Sequence, residues 1–421
     1  MQITAIKGFA DILPGEVETW QLLERKARAV FAAYNFSEIR IPILEKTELF
    51  SRSIGDTTDI VEKEMYTFSD QGAQGLSLTL RPEGTAGVVR AYIESEMYKI
   101  EPVRKLYYMG PMFRRERPQK GRMRQFHQIG AEALGRGDSF IDAEILLMLD
   151  DFFARLELEG ASLQLNSLGC AQCRPQYREK LLSYLRAREQ ALCDNCRRRI
   201  ERNPLRALDC KEPRCIEETK NAPSILDSLC AECRSHFESV QHLLRQADVK
   251  FLLNPRMVRG LDYYCRTTFE WTSNQLGSQN AVAAGGRYDG LVQELGGPAI
   301  PGVGFALGIE RLALLLRTKG NDEATGPSLF IVWIGAKARD WAFPMVHRLR
   351  RKGVSVEIEG ETRSLKSQMR RADKLNAGSV LIIGENELEK GTAILRDMKS
   401  KRQEEISLTT IEAEMMARKA S

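Results

Sequence analysis

The stretch Phe113–Glu132, FRRERPQKGRMRQFHQIGAE, places Arg114 and Glu116 before a turn at Pro118 to Gly121 and Phe126, Gln128 and Glu132 after it. If the two stems are strands, side chains alternate between faces, and Phe126, Gln128, Gly130 and Glu132 share one face of the return strand. That face carries polar groups where an apolar core is expected. Arginine forks bind phosphate oxygens in pairs, an aromatic ring stacks on a base, and an amide beside a carboxylate grips a polar substrate deeper in the sheet. The alternative is an arginine-rich hairpin that is merely exposed. No G-x-x-x-x-G-K-[ST] occurs, and Gly302 to Gly308, GVGFALG, has one residue too many for G-x-G-x-x-G. Any nucleotide phosphates must therefore be held by side chains.

Thiols form a second group. Cys170-x2-Cys173, Cys193-x2-Cys196, Cys210-x4-Cys215 and Cys230-x2-Cys233 are four pairs within one segment. Two thiolates at C-x2-C spacing hold one side of a tetrahedral zinc, and a second pair completes it. Eight ligands allow two sites or one, with buried free thiols as the alternative; stable disulfides are rare in a cytosolic protein. Cys265 has no partner in sequence and reads as packing. The four histidines, His127, His236, His242 and His347, show no serine, cysteine or carboxylate arrangement of a catalytic triad.

The elements that would position these groups follow from periodicity. Val17, Trp20, Leu23, Ala27, Val30, Phe31 and Tyr34 are spaced for an amphipathic helix after Pro14-Gly15. Short β runs are expected at Glu38 to Ile43, Leu76 to Leu80, Val103 to Tyr108, Arg124 to Ile129 and Leu163 to Leu165, with helices at Gly84 to Ser95 and Ser139 to Leu156. Connections too short for crossovers favour a largely antiparallel sheet flanked by helices, an α+β class. Cys170 to Asp248 reads as a mainly helical, Cys-rich insertion. The expected order is a core over 1–169, the insertion over 170–248, the core resuming over 249–320, a polar linker at 321–327 (NDEATGP) and a terminal α/β domain over 328–421. In that domain LFIVWIG, VSVEIE and SVLIIG alternate with helices at Arg339 to Lys352 and Leu365 to Asn376.

At 421 residues, 43% hydrophobic and 28% charged, the chain is globular and long enough for two or three domains. No stretch approaches a membrane span, and the start lacks a leader pattern, so the expectation is a cytoplasmic protein without membrane or DNA partners. The net charge of +5 lies wholly beyond Gly326, with 18 Lys+Arg against 13 Asp+Glu there. A basic terminal segment suits RNA, and equally a solvated face.

The hairpin resembles the second signature motif of class II aminoacyl-tRNA synthetases in its histidyl-tRNA synthetase form. KGFADILP, TLRPEGTAG (79–87), VRGLDYYCRT (258–267), AGGRYDGLV (284–292) and GVGFALGIERL (302–312) follow the same family in the same order. The resemblance implies activation of L-histidine by ATP with Mg2+, then transfer to tRNA(His). Arg114 and Arg259 would hold the α-phosphate from opposite sides and Arg311 the γ-phosphate. Magnesium would bridge the β- and γ-phosphates. Glu116 would accept from the adenine amino group and Phe126 stack on its ring. Glu83, Thr85 and Gln128 would bind the α-ammonium and Glu132 with Tyr264 the imidazole nitrogens, while Tyr263 and Tyr288 line the pocket. For Glu83, which follows Pro82 at a helix start, the alternative is simply a favourable place in the helix dipole.

Further out, Arg117, Gln119 and Arg122 at the loop tip would meet the tRNA acceptor end, the alternative being solvent-facing charges. The terminal domain, whose Arg370, Arg371 and Lys374 share a helix, would read the anticodon. Arg40 and Pro42 resemble the first class II motif, which implies a homodimer. Many family members lack the cysteines, so any zinc would be structural. A non-catalytic relative, the histidine-sensing regulatory subunit of ATP phosphoribosyltransferase, is the rival; such paralogues usually lose the arginine of VRGLDYY and the terminal domain, and both are present here.

Overall fold

The computed structural model describes residues 3–420 except 56–57, 59, 71, 73–74, 120, 277–279 and 318–325. It forms two compact units, Met1–Asn321 and Asp322–Ser421. The linker expected at 321–327 falls mostly outside the described residues.

The first unit begins with α1 (Val17–Ala33), which buries Trp20, Leu23, Ala27, Val30 and Phe31 along one stripe, as its spacing requires. Then come β1 (Ser37–Glu38), β2 (Leu44–Lys46), α2 (Thr47–Ile54), β3 (Tyr66–Ser69), β4 (Ser77–Leu80), α3 (Thr85–Glu94) and the short α4 (Met97–Ile100). The hairpin β5 (Arg104–Phe113) and β6 (Gln125–Leu134) pairs from Arg104 opposite Leu134 to Phe113 opposite Gln125. Beyond it lie α5 (Ser139–Arg155), β7 (Ala161–Ser167), the helices α6 (Cys173–Arg186), α7 (Asp194–Arg202), α8 (Pro213–Glu218) and α9 (Ala231–Gln246), then β8 (Phe251–Leu253), β9 (Cys265–Ser273), β10 (Ala281–Arg287), α10 (Leu291–Glu294), β11 (Gly302–Gly308) and α11 (Ile309–Arg317).

Eight strands form one sheet in the order β1-β5-β6-β11-β10-β9-β7-β8. It is antiparallel except at its edges, where β1 joins β5 and β7 joins β8 in parallel. Ile129, Ala131 and Ala133 of β6 face the main core with α1, α5 and α9. Gln128, Gly130 and Glu132 alternate with them and so face the other side, where the site lies. The strand expected over Glu38 to Ile43 is cut short. Pro42 has no amide to donate, and the Arg81 guanidinium takes the carbonyls of Ile41 at 2.7 Å and Pro42 at 3.3 Å, which replaces a ladder.

The helices α6 to α8 surround their own cluster of Tyr177, Leu181, Leu185, Leu192, Ile200 and the cysteines. In contrast, α9 sends Phe237, Val240 and Leu244 into the main core.

The second unit contains β12 (Leu329–Ile334), α12 (Ala336–Arg351), β13 (Val356–Ile358), α13 (Leu365–Lys374), β14 (Ser379–Gly384), α14 (Glu385–Lys390), β15 (Thr392–Asp397), β16 (Gln403–Ser407) and α15 (Ile411–Ala420). Its sheet, β13-β12-β14-β15-β16, is parallel up to β14 and antiparallel beyond. No helix among the described residues is long and apolar enough to cross a membrane.

Candidate active site

The floor of the site is built from α3 and β6. Glu83 precedes α3, and its carboxylate accepts from the Thr85 amide at 2.7 Å and the Ala86 amide at 2.9 Å. The helix-start arrangement of Glu83 is therefore present, and it uses only part of what a carboxylate can accept. Burial pushes this carboxyl's pKa up, with the amide bonds pulling it back. One turn deeper, Glu132 is 0% exposed; it accepts from the Thr85 hydroxyl at 2.7 Å and from the Tyr288 hydroxyl. Burial raises its pKa to about 8 against the pull of those two hydroxyls. Burial also raises the Tyr263, Tyr264 and Tyr288 hydroxyls.

Above this floor is a cavity of about 260 Å³. Arg114 from the end of β5, Arg259 from the loop before β9 and Arg311 from the first turn of α11 all line it, with Glu83, Thr85, Gln128, Phe126, Tyr263 and Tyr264. Glu132 and Tyr288 do not; they lie behind its wall, joined to it through Thr85. Each arginine is held separately. Arg114 donates from Nε to the Pro82 carbonyl at 2.8 Å, with its guanidinium carbon 5.2 Å from the Phe126 ring centroid. Arg259 pairs with Glu270 and lies 5.5 Å from the Tyr264 ring. Arg311 donates to the carbonyls of Ala281 at 2.6 Å and Gly121 at 3.3 Å.

Such clustering strains the charges. Burial lowers the pKa of Arg114 and of Arg311, and the Arg122 and Arg114 cations push Arg311 further down. Burial works on Arg259 in the same direction, but the Glu270 carboxylate and the neighbouring tyrosines raise it on balance. Gln128 Oε1 and Arg259 Nε are buried with no hydrogen-bond partner among the described residues. Buried polar groups are seldom left so, and an anionic and polar ligand entering the cavity would satisfy both.

The loop departs from expectation at one residue. Arg117 and Gln119 are exposed at the tip, but Arg122 turns inward, lines the cavity and pairs with Glu116. The reason is electrostatic: Glu116 is buried, and an unpaired buried carboxylate is costly. Histidine surroundings also differ. His236 Nε2 lies 2.7 Å from Asp142 Oδ2, and Asp142 pairs with the fully buried Arg287. His127 donates its backbone amide to Glu310 at 2.8 Å, with its ring nitrogen 3.2 Å away. These carboxylates are 94 and 183 residues distant in sequence, so local reading missed them.

Residues 8–312 match the family model described as histidyl-tRNA synthetase, and residues 328–418 match an anticodon binding domain. The chain belongs to the histidyl-tRNA synthetase family. It is 60% identical over 408 residues to the histidine–tRNA ligase of Geobacter sulfurreducens, covering 97% of this chain and 98% of that one. Against the ligase of Syntrophotalea carbinolica it is 56% identical over 418 residues, 99% of both. The solved apo histidyl-tRNA synthetase of S. aureus superposes with a TM-score of 0.82 at 36% identity, over 98% of this chain and 100% of that one. An ATP phosphoribosyltransferase regulatory subunit/histidyl-tRNA synthetase from Bacillus halodurans shares the fold at a TM-score of 0.66 and 21% identity, over 91% and 99% of the chains.

Sequence reasoning also passed over Glu270, which holds Arg259, and Glu310, directly before Arg311. Both line the cavity. Glu270 sits mid-strand in TTFEW without a turn or glycine to mark it. Glu310 is inside the quoted GIERL and was signalled only by its place beside Arg311.

Proposed function

We infer that this cavity activates L-histidine with ATP and passes the product to tRNA(His). A histidine carboxylate oxygen attacks the α-phosphorus, pyrophosphate departs, and the terminal ribose hydroxyl of the tRNA then attacks the adenylate carbonyl, releasing AMP. Convergence of Arg114, Arg259 and Arg311 on one cavity carries this reading. Phosphoryl transfer needs positioning and charge stabilisation more than covalent help, and three fixed guanidinium groups supply both. On this reading Arg114 and Arg259 hold the α-phosphate, Arg311 the γ-phosphate, and Phe126 the adenine ring. Glu116 takes the adenine amino group only when its pairing with Arg122 opens.

Histidine would enter the end where Glu83, Thr85 and Gln128 meet its ammonium group. Tyr263 and Tyr264 flank the ring, and Glu132 with Tyr288 acts from behind through the Thr85 contact. A wrong side chain there leaves buried polar groups unpaired, which supports selectivity without editing. Mg2+ is a hard ion that takes carboxylate oxygens, and Glu270 and Glu310 are the cavity carboxylates that would help hold it; when bound it neutralises phosphate charge. The reading includes a homodimer in the cytoplasm, acceptor-end contacts from Arg117 and Gln119, anticodon reading by the second unit, and structural zinc in the insertion. The test is pyrophosphate exchange into ATP with each amino acid in turn: histidine alone should support it, and exchange with another amino acid, or with none, overturns the assignment.

A further inference from the structure

The eight cysteines of the insertion fall into two groups. Cys170, Cys173, Cys230 and Cys233 form one, and Cys193, Cys196, Cys210 and Cys215 the other; within each, all four sulfur atoms lie within 4.8 Å of one another. Sequence alone left the pairing open. A tetrahedral Zn–S site with bonds of about 2.3 Å has sulfur–sulfur edges of about 3.8 Å. Cys170–Cys173, Cys170–Cys230 and Cys193–Cys210 measure 3.7, 3.9 and 3.8 Å. All eight are free thiols, and each group alternates half-buried and buried members. Backbone amides already point at buried sulfur in both: Cys230 N–H to Cys173 Sγ and Cys193 N–H to Cys215 Sγ, each at 3.2 Å. Amides donating to sulfur in this way orient and stabilise thiolate ligands.

We propose that the insertion carries two closed four-thiolate zinc sites, nested in sequence, which clamp the loop that carries Arg259. The outer site ties Cys170 and Cys173, just after β7, to Cys230 and Cys233 at the start of α9. The inner site lies wholly between them. Neither has an oxygen or nitrogen ligand among its four members, so both are structural.

The link to the loop runs through residues a few positions from these cysteines. Arg206, between the two halves of the inner site, donates to the Gly260 carbonyl at 2.6 Å and lies 3.6 Å from Asp262. Asn203 donates to Asp262 at 3.3 Å. Thr219, whose hydroxyl bonds the Cys215 carbonyl at 2.7 Å, accepts from Arg256 at 2.7 Å. Next to the outer site, Arg174 donates to the Tyr264 carbonyl. Residues 256–264 are thus pinned at four points by the insertion, with Arg259 and Tyr264 among them.

This deepens the ligase reading and can fail apart from it. Full-length protein purified under reducing conditions should contain about two zinc ions per chain by plasma mass spectrometry. Cys193→Ser/Cys210→Ser should keep about one, because the outer set is complete without them. No metal, or one metal shared by all eight thiols, overturns the two-site arrangement; full histidine-dependent exchange in that same metal-free protein leaves the ligase reading standing. Arg206→Ala tests the clamp without touching a cysteine and guards against cysteine variants that fail to fold. It should keep both metals, lose kcat for exchange by about tenfold and leave the KM for histidine within about twofold, with partial rescue by Arg206→Lys. Unchanged kcat overturns Arg206 as a positioning residue.

Discussion

Arg259→Ala separates chemistry from stability, because the structure gives each a different size. The Arg259 side chain is 13% exposed and its partner Glu270 25%. A fixed cation aimed at charge that develops during reaction is worth ~3–4 kcal/mol, or a rate factor of ~100–1000. For stability, deleting one member of a dry ion pair costs ~3–5 kcal/mol, but water reaches a quarter of Glu270, so about 1–2 kcal/mol is expected. The assay is kcat/KM for histidine-dependent pyrophosphate exchange, beside calorimetric histidine affinity and a urea midpoint. Exchange should fall by the full factor while histidine affinity moves less than about threefold, since the ammonium contacts proposed for Glu83, Thr85 and Gln128 stay intact. Glu270→Gln, which frees the guanidinium without removing it, should cost about tenfold, and the double variant less than the product of the two losses. Exchange within about threefold of the unaltered enzyme would falsify the role given to Arg259.

Burial holds Glu132 protonated up to about pH 8 in the native state against an ordinary 4.5, so its contribution is complete below about 4.5 and disappears as pH rises through about 8. Glu132→Gln should flatten the fall in urea midpoint between about pH 5 and 9, and an unaltered slope removes Glu132 as its source. Arg122→Ala should lower exchange as well as charging, by about tenfold, because it removes a cation from the wall of the cavity; loss of charging alone would return Arg122 to the tRNA. Gly304→Ala drives a methyl group into the Glu132 carboxylate and the Ala131 carbonyl and should cost about 2–3 kcal/mol by denaturation, a cost near zero showing that the strands can part. Removing 322–421, a separate compact unit, should leave exchange within a few-fold and abolish tRNA charging; charging that survives excludes the anticodon role.

How much of this was legible in the sequence differs by residue. The stripe of α1 and the β5–β6 hairpin were readable because apolar spacing repeats at 3.6 and 2 residues, and strand parity alone put Gln128 and Glu132 on one shared face, though not which face covers the core. The β15–β16 hairpin was not read: TAILRD and QEEIS bury little beyond Ala393 and Leu395, so their alternation is masked by charge. Ion pairs escaped for a different reason. Arg122 with Glu116, and Asp142 with His236 and Arg287, depend on which buried charge lies nearest in space, and no local pattern encodes that. The cysteine spacing suggested metal ligands but not the partition of the sulfur atoms into two sets, because any two of the four pairs satisfy the same rule.

The glycines of GVGFALG show how the two halves of the site depend on one another. They looked like a failed phosphate loop, yet Gly302 to Gly308 is the strand β11 at the centre of the sheet. A side chain at Gly302 would strike the Tyr288 ring, and one at Gly304 the Glu132 carboxylate. The glycines therefore make room for the buried Glu132–Tyr288 pair that stands behind the end proposed for histidine. The same strand then runs directly into α11, whose Arg311 lines the cavity at the end proposed for the triphosphate. One element sets the spacing of a neutral, proton-holding pocket and of a cationic one. A shift of β11 by even one residue would reverse its faces, removing the space beside Glu132 and turning Arg311 from the cavity together.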